Sequence, residues 1–164
     1  IEDFGQIFGL YPQEKYKKAS ALNIATVIGA EGTDADVAEF IRRLTFNTLI
    51  GNADMHVKNW SVTYPDRRGI GLAPAYDLVS TIPYIPADEA ALKFSRTKRF
   101  DGYSLDELAH LANRAHLPEK LVLDTAKETY ARFQDAWHAE KSALPLAPEV
   151  IAAIEDHLTT IPLG

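Results

Sequence analysis

The residue pattern predicts a mainly α domain carrying one small β-hairpin. Three observations support that expectation: apolar residues recur at helical spacing in several stretches, two short β-prone runs flank a cluster of turn residues, and helix-opening signals precede three C-terminal stretches. With 164 residues and 46% apolar content, the chain is long enough for one domain that buries roughly 70% of the surface its unfolded form exposes. The expected order is helix, loop, helix, loop, hairpin, loop, then three helices, with no internal repeat and no low-complexity tract.

Glu2 to Leu10 reads as a short amphipathic helix with Phe4, Ile7 and Phe8 on one face and Gly9 near its end. A polar Tyr11 to Ala19 loop follows, and Asn23 to Gly32 carries no decisive pattern. Thr33 or Asp34 then caps the best-defined helix, whose Val37, Phe40, Ile41 and Leu44 form one stripe. Phe46, Leu49 and Ile50 keep its last turns apolar enough to be buried on more than one side, and the helix runs out at Gly51. Asn52 to Asn59 is too polar and unperiodic to continue it.

Trp60 to Tyr64 and Ile70 to Ala73 are the hairpin runs, separated by Pro65-Asp66-Arg67-Arg68-Gly69. Pro74, Pro83 and Pro86 keep Ala75 to Asp88 irregular, and Ala91 to Phe94 reads as an isolated strand. Ser104 with Glu107 matches a capping box ahead of Leu105, Leu108 and Leu111. Pro118 opens a long helix through Trp137, read as a core residue, and Pro148 opens the last helix. His110, His116, His138 and His157 lack the i, i+4 pairing of a helical metal site and read as surface or core residues.

The net charge of −6 leaves no basic excess to neutralise phosphates, so direct nucleic-acid binding by this segment is not expected. The basic cluster Arg96, Lys98, Arg99 reads as a solvated loop, and Lys93 lies on a solvated face or in a cleft. The absence of cysteine removes disulfides and thiolate-ligated zinc and fits a reducing cytoplasm. No apolar run reaches the ~20 residues of a membrane helix. The start at Ile1 is that expected of a piece of a longer chain.

Chemistry concentrates in Gly51-Asn52-Ala53-Asp54-Met55-His56-Val57-Lys58-Asn59-Trp60. An Asp followed five residues later by an Asn, here Asp54 and Asn59, is the spacing of the protein-kinase catalytic loop, where the Asp orients a substrate hydroxyl and the Asn binds magnesium. A second carboxylate, Asp77, follows the second hairpin run within Leu72-Ala73-Pro74-Ala75-Tyr76-Asp77-Leu78. Position 68 lies midway between Asn59 and Asp77, so a hairpin centred there returns the two to roughly opposite places. Carboxylate and amide oxygens suit a hard cation such as Mg2+.

These two stretches resemble the catalytic and metal-binding segments of HipA-like kinases, toxins of bacterial toxin-antitoxin pairs. The resemblance extends to Glu2-Asp3-Phe4 with Leu10-Tyr11-Pro12, to Leu92-Lys93-Phe94 and to the three-helix tail, and covers nearly the whole chain. It implies the helical C-lobe of a protein-kinase-like fold over residues 1–164, with the N-lobe lying upstream. It also implies ATP and Mg2+ as ligands, with Asp54 as catalytic base, Asn59 and Asp77 as magnesium ligands, and His56 and Lys58 beside the nucleotide phosphates. Tyr76 either packs beside the nucleotide or fills core space, the commoner fate of an aromatic at a strand end. A small DNA-binding antitoxin is the implied partner and a translation-related protein such as an aminoacyl-tRNA synthetase the implied substrate.

The pattern departs from ordinary eukaryotic-type kinases. His-Arg is missing before Asp54, and Asp77-Leu78-Val79 stands where Asp-Phe-Gly would. These residues hold no Gly-rich phosphate loop and no strand lysine with a helix glutamate, so this segment by itself is expected to transfer little or nothing. Two other readings of the same residues are a small-molecule phosphotransferase lobe and a helical interaction module without catalysis.

Overall fold

The computed structural model describes residues 1–11, 19–66 and 69–163. In chain order these form β1 (Glu2–Asp3), α1 (Phe4–Ile7), α2 (Ala21–Glu31), α3 (Asp34–Leu49), β2 (Ser61–Thr63), β3 (Gly71–Leu72), α4 (Leu105–Ala115), α5 (Glu119–Glu140) and α6 (Pro148–Leu158). The architecture is mainly helical with one three-stranded antiparallel sheet, β1-β2-β3.

Short polar caps decide where the helices start. Thr33 accepts from the Asp36 amide while Asp36 accepts from the Thr33 amide, closing a capping box at α3. Ser20 and Asn23 do the same for α2, the helix for which apolar spacing gave no decision. The helix is nonetheless secure, because Ile24, Ala25 and Ile28 are fully buried. The free amides of its first turn, Ala21 and Leu22, donate to the carbonyls of Lys93 and Phe94. Those carbonyls are thereby engaged, so the expected strand at Ala91 to Phe94 does not form. Its place is taken by turns, with a single bridge between Glu89 and Arg99.

The core lies among α2, α3, α4 and α5, with α3 running along α5 and α2 along α4. Val37, Phe40, Ile41 and Leu44 of α3 are buried as their spacing requires. Each such side chain contributes about 1.5–3 kcal/mol on leaving water. Thr45, which interrupts the stripe, is satisfied by a 2.8 Å hydrogen bond to the Tyr103 hydroxyl.

Several expectations need correction. The proposed Glu2 to Leu10 helix is a single turn, because Glu2 and Asp3 instead pair with Val62 and Ser61 as a third strand. Ser104 caps α4, but Glu107 does not return the bond. Its buried carboxylate instead accepts from the amides of Ser95, Arg96 and Thr97 and from the Arg96 side chain. Trp137 is half-buried, because α5 outruns the core and its last turns are mostly exposed. The basic cluster is the exposed, irregular stretch expected, and its charges are paired, Arg96 to Asp106 and Glu107, Lys98 to Glu89, and Arg99 to Asp101. Of the Tyr11 to Ala19 loop and the hairpin turn, residues 12–18 and 67–68 lie outside the described residues. None of the described helices is long and apolar enough to cross a membrane.

Candidate functional site

The site begins at the end of α3. Gly51 adopts φ +65°, its amide donates to the Thr48 carbonyl at 3.1 Å and the Asn52 amide to the Asn47 carbonyl at 2.9 Å. This pair of bonds is a Schellman turn, which requires a left-handed residue where Gly51 stands. A Cβ there would also lie 2.4 Å from Ile82 Cδ1. The turn reverses the chain and aims the next side chain back into the protein.

That side chain is Asn52, which is buried. Its Nδ2 donates to Asn47 Oδ1 at 2.8 Å and to the Asp77 carbonyl at 3.1 Å, while its Oδ1 accepts from the Asp54 amide at 3.1 Å. One amide group thus fixes both acidic residues by their backbones. The Ala53 amide donates to Thr81 Oγ1 at 2.8 Å, tying the loop to the segment beyond Asp77. Asp54 itself is exposed.

After Asp54, residues Val57–Asn59 form a single 3-10 turn. The His56 amide donates to Asn59 Oδ1 at 2.9 Å, and Asn59 Nδ2 donates to Asp77 Oδ2. The two sequence motifs therefore meet side chain to side chain across eighteen positions. The stem of Lys58 lies over Gly5 of α1, whose missing side chain leaves room for it.

Asp77 arrives by way of the hairpin. β2 and β3 pair with Val62 opposite Leu72 and Thr63 opposite Gly71. Carried outward, that register sets Asn59 opposite Ala75, so a hairpin centred on position 68 misses by two residues. A left-handed Asp77, φ +57°, and two tethers make up the difference. Tyr76 donates its hydroxyl to the Lys58 carbonyl at 2.6 Å and lies 2.6 Å from Ser61 Oγ. Asn52 holds the Asp77 carbonyl. Tyr76 therefore fastens the return segment to the loop and, being exposed, does not fill the core.

From the other side, α3 anchors β3. Asp36 accepts from the Leu72 amide at 2.8 Å, and Arg43 donates to the Ala73 carbonyl at 2.6 Å. Burial works against the Asp36 carboxylate, yet its bonds from Leu72 and Thr33 hold its pKa below the usual value. Burial likewise raises Glu39, and its bonds from Arg43 and Arg42 outweigh that. Both carboxylates stay charged and keep the α3 surface in register with the hairpin.

All six residues singled out by sequence thus join one hydrogen-bonded assembly, Asp54 and His56 by their backbones and Lys58 by its carbonyl. What sequence reasoning missed is the frame of buried Asn47 and Asn52 with half-buried Thr81. The available signal was an Asn five residues from another across a helix-ending glycine. Chemically, the Asp77 carboxylate and the Asn59 side-chain amide, which meet through Asn59 Nδ2, carry the hard oxygen donors that suit a divalent cation. Among the described residues no group of three or more His, Cys, Asp or Glu forms a metal cage. A two-donor site fits Mg2+, which keeps waters and takes phosphate oxygens for its remaining positions. Ligation through Asn59 Oδ1 requires the amide to turn from the His56 amide that now binds it.

The model of the HipA-like C-terminal domain matches residues 1–137. The chain is 59% identical over 164 residues to a Sinorhizobium fredii protein named "Putative kinase Y4dM", covering 99% of this chain and 40% of that protein. A second protein of that organism, "Putative kinase Y4mE", is 36% identical over 89 residues, covering 51% of this chain and 21% of its own length. Among solved structures, the Shewanella oneidensis HipA, HipB and operator DNA complex contains a chain with the same fold, at TM-score 0.68 and 23% identity, covering 97% of this chain and 38% of that one. The chain spans about two fifths of the length of Y4dM. On the family match over residues 1–137, this chain belongs to the HipA-like C-terminal domain family.

Proposed function

We propose that this chain is the catalytic C-lobe of an ATP- and Mg2+-dependent serine/threonine protein kinase of the HipA kind. The observation that carries the reading is the bond from Asn59 to Asp77, which brings the two ligand candidates together in a loop that also presents Asp54. Asp54, exposed at the loop tip, accepts the proton of the acceptor hydroxyl and aims its oxygen at the phosphoryl group. Asn59 and Asp77 hold Mg2+, which when bound neutralises phosphate charge. Lys58 sets an ammonium near the same phosphates, and His56, whose amide gives up the Asn59 Oδ1 when that side chain turns to the metal, lies beside them. Tyr76 keeps the return segment at the distance at which both motifs can act.

The names of the relatives support a kinase, and the likeness to a HipA chain solved with HipB and operator DNA supports a small DNA-binding antitoxin as partner. The acceptor in this reading is a protein hydroxyl, of an aminoacyl-tRNA synthetase or another translation-related protein, and transfer requires the N-lobe of the full-length chain. The test is Asp54→Asn in the full-length protein, assayed with labelled ATP. Transfer should fall by about a hundredfold to ten-thousandfold with Mg-ATP affinity retained. Undiminished transfer would sink the assignment of Asp54.

A further inference from the structure

The Schellman turn that launches the catalytic loop has a support outside the loop. His157, near the end of α6, places Nε2 2.7 Å from the Thr48 carbonyl, a contact across 109 positions of sequence. A carbonyl can only accept, so Nε2 carries the proton and donates. Thr48 is the residue whose carbonyl also takes the Gly51 amide at 3.1 Å. That carbonyl, with two lone pairs, is therefore held from both sides: by the amide that closes the turn and by an imidazole from a separate helix.

The ring is fixed in its turn. It stands edge-on to Phe100, with centroids 4.8 Å apart and planes at 87°, and Phe100 is itself buried. The Thr48 hydroxyl is already committed to the Leu44 carbonyl, so it offers the turn nothing. Downstream the same turn orients Asn52, and Asn52 holds the Asp54 amide and the Asp77 carbonyl. The path from His157 to either acidic residue thus runs through three hydrogen bonds and the Gly51–Asn52 peptide link. The family match ends at residue 137, so α6 contributes this contact from outside the matched segment.

We propose that His157 is a positioning residue for the phosphoryl-transfer site, setting the direction in which the α3 C-terminus delivers Asn52 and Asp54. The proposal rests on the kinase reading for its kinetic consequence, but not for its structural one.

Two variants separate donor from shape. His157→Phe keeps a ring against Phe100 and removes the N–H, whereas His157→Gln restores a donor of similar reach. In full-length protein, His157→Phe should lower kcat about tenfold to a hundredfold, as expected for slight misplacement of a reacting group, with KM for Mg-ATP changed less than about twofold. His157→Gln should recover most of that loss. Amide hydrogen exchange supplies the readout independent of catalysis: His157→Phe should speed exchange at Gly51, Asn52 and Asp54 while leaving α2 and α4 unchanged. Equal exchange in wild type and His157→Phe would overturn the proposal. So would loss of protection spread evenly over the whole chain, or failure of His157→Gln to restore the protection. If the wild type transfers no phosphate, the kinase reading fails by itself and the exchange comparison still decides the role of His157.

Discussion

The two halves of the candidate site are built in opposite ways. On the loop side, Gly51, Asn52, Met55, His56, Val57 and Trp60 are buried, and the backbone is fixed by the α3 turn and by Asn52. On the return side, every residue from Pro74 to Val79 is exposed, and none belongs to a helix or strand. That segment is held by point tethers, Tyr76 to Lys58 and Asp77 to Asn52 and Asn59. The contrast separates two tasks: a packed frame sets direction, while an exposed strap presents a charged group to whatever arrives. Perturbing the frame should therefore be read first in stability, and perturbing the strap first in ligand binding.

The largest effect should come from the frame. Gly51→Ala forces a left-handed alanine, costing about 1–2 kcal/mol, and drives a methyl to 2.4 Å from Ile82 Cδ1, adding about 1–3 kcal/mol of overpacking. A chain of this size loses about 2–4 °C of melting temperature per kcal/mol, so calorimetry should find a drop of roughly 5–15 °C. A drop under about 2 °C would mean that the turn yields easily and that the frame is not rigid.

Asp77→Asn should do the reverse. Asparagine tolerates the left-handed backbone that Asp77 adopts and keeps an oxygen for the Asn59 amide, so melting should move little. Removing the carboxylate charge should weaken Mg-ATP binding to the full-length protein about a hundredfold by isothermal titration calorimetry, equivalent to roughly 2.7 kcal/mol. Unchanged affinity would show that the strap presents Asp77 for another purpose.

The same division explains what could be read from sequence. The α3 stripe, its Thr33 cap and its end at Gly51 are local signals, and so are the hairpin and the Asp54 to Asn59 spacing. The meeting of Asn59 with Asp77 was anticipated from hairpin geometry, although the real register needs a left-handed residue to complete it. α2 stayed undecided because its apolar residues are spread around the helix and the Ser20 and Asn23 box was the better clue. Ala91 to Phe94 reads as a strand because Lys93 stands between apolar residues, of which Leu92 and Phe94 are buried, but the Lys93 and Phe94 carbonyls cap α2. Contacts such as His157 to Thr48 leave no trace at short range, since each residue has an ordinary local setting and only the packing of α6 unites them.

The smallest effect concerns that distant support and depends on pH. Burial pushes the His157 pKa below its usual value, and the bond to the Thr48 carbonyl opposes this only in part. The unfolded chain, with an ordinary histidine near 6.5, therefore binds a proton more readily than the folded one. The stability associated with a neutral His157 is complete above that value and declines as pH falls through it. Asp88, Asp101 and Asp156 line the cleft beside the ring together with Arg99, and their mixed charges temper the decline. The depressed carboxylates Asp36, Glu39 and Glu107 act in the same direction but at lower pH, below about 4.5. Between pH 7.5 and 5.5, urea midpoints of wild type should consequently fall more steeply than those of His157→Gln, which has no proton to take up. Parallel slopes would show that the ring is charged as easily in the fold as in water, the bond to the Thr48 carbonyl then offsetting the whole cost of burial.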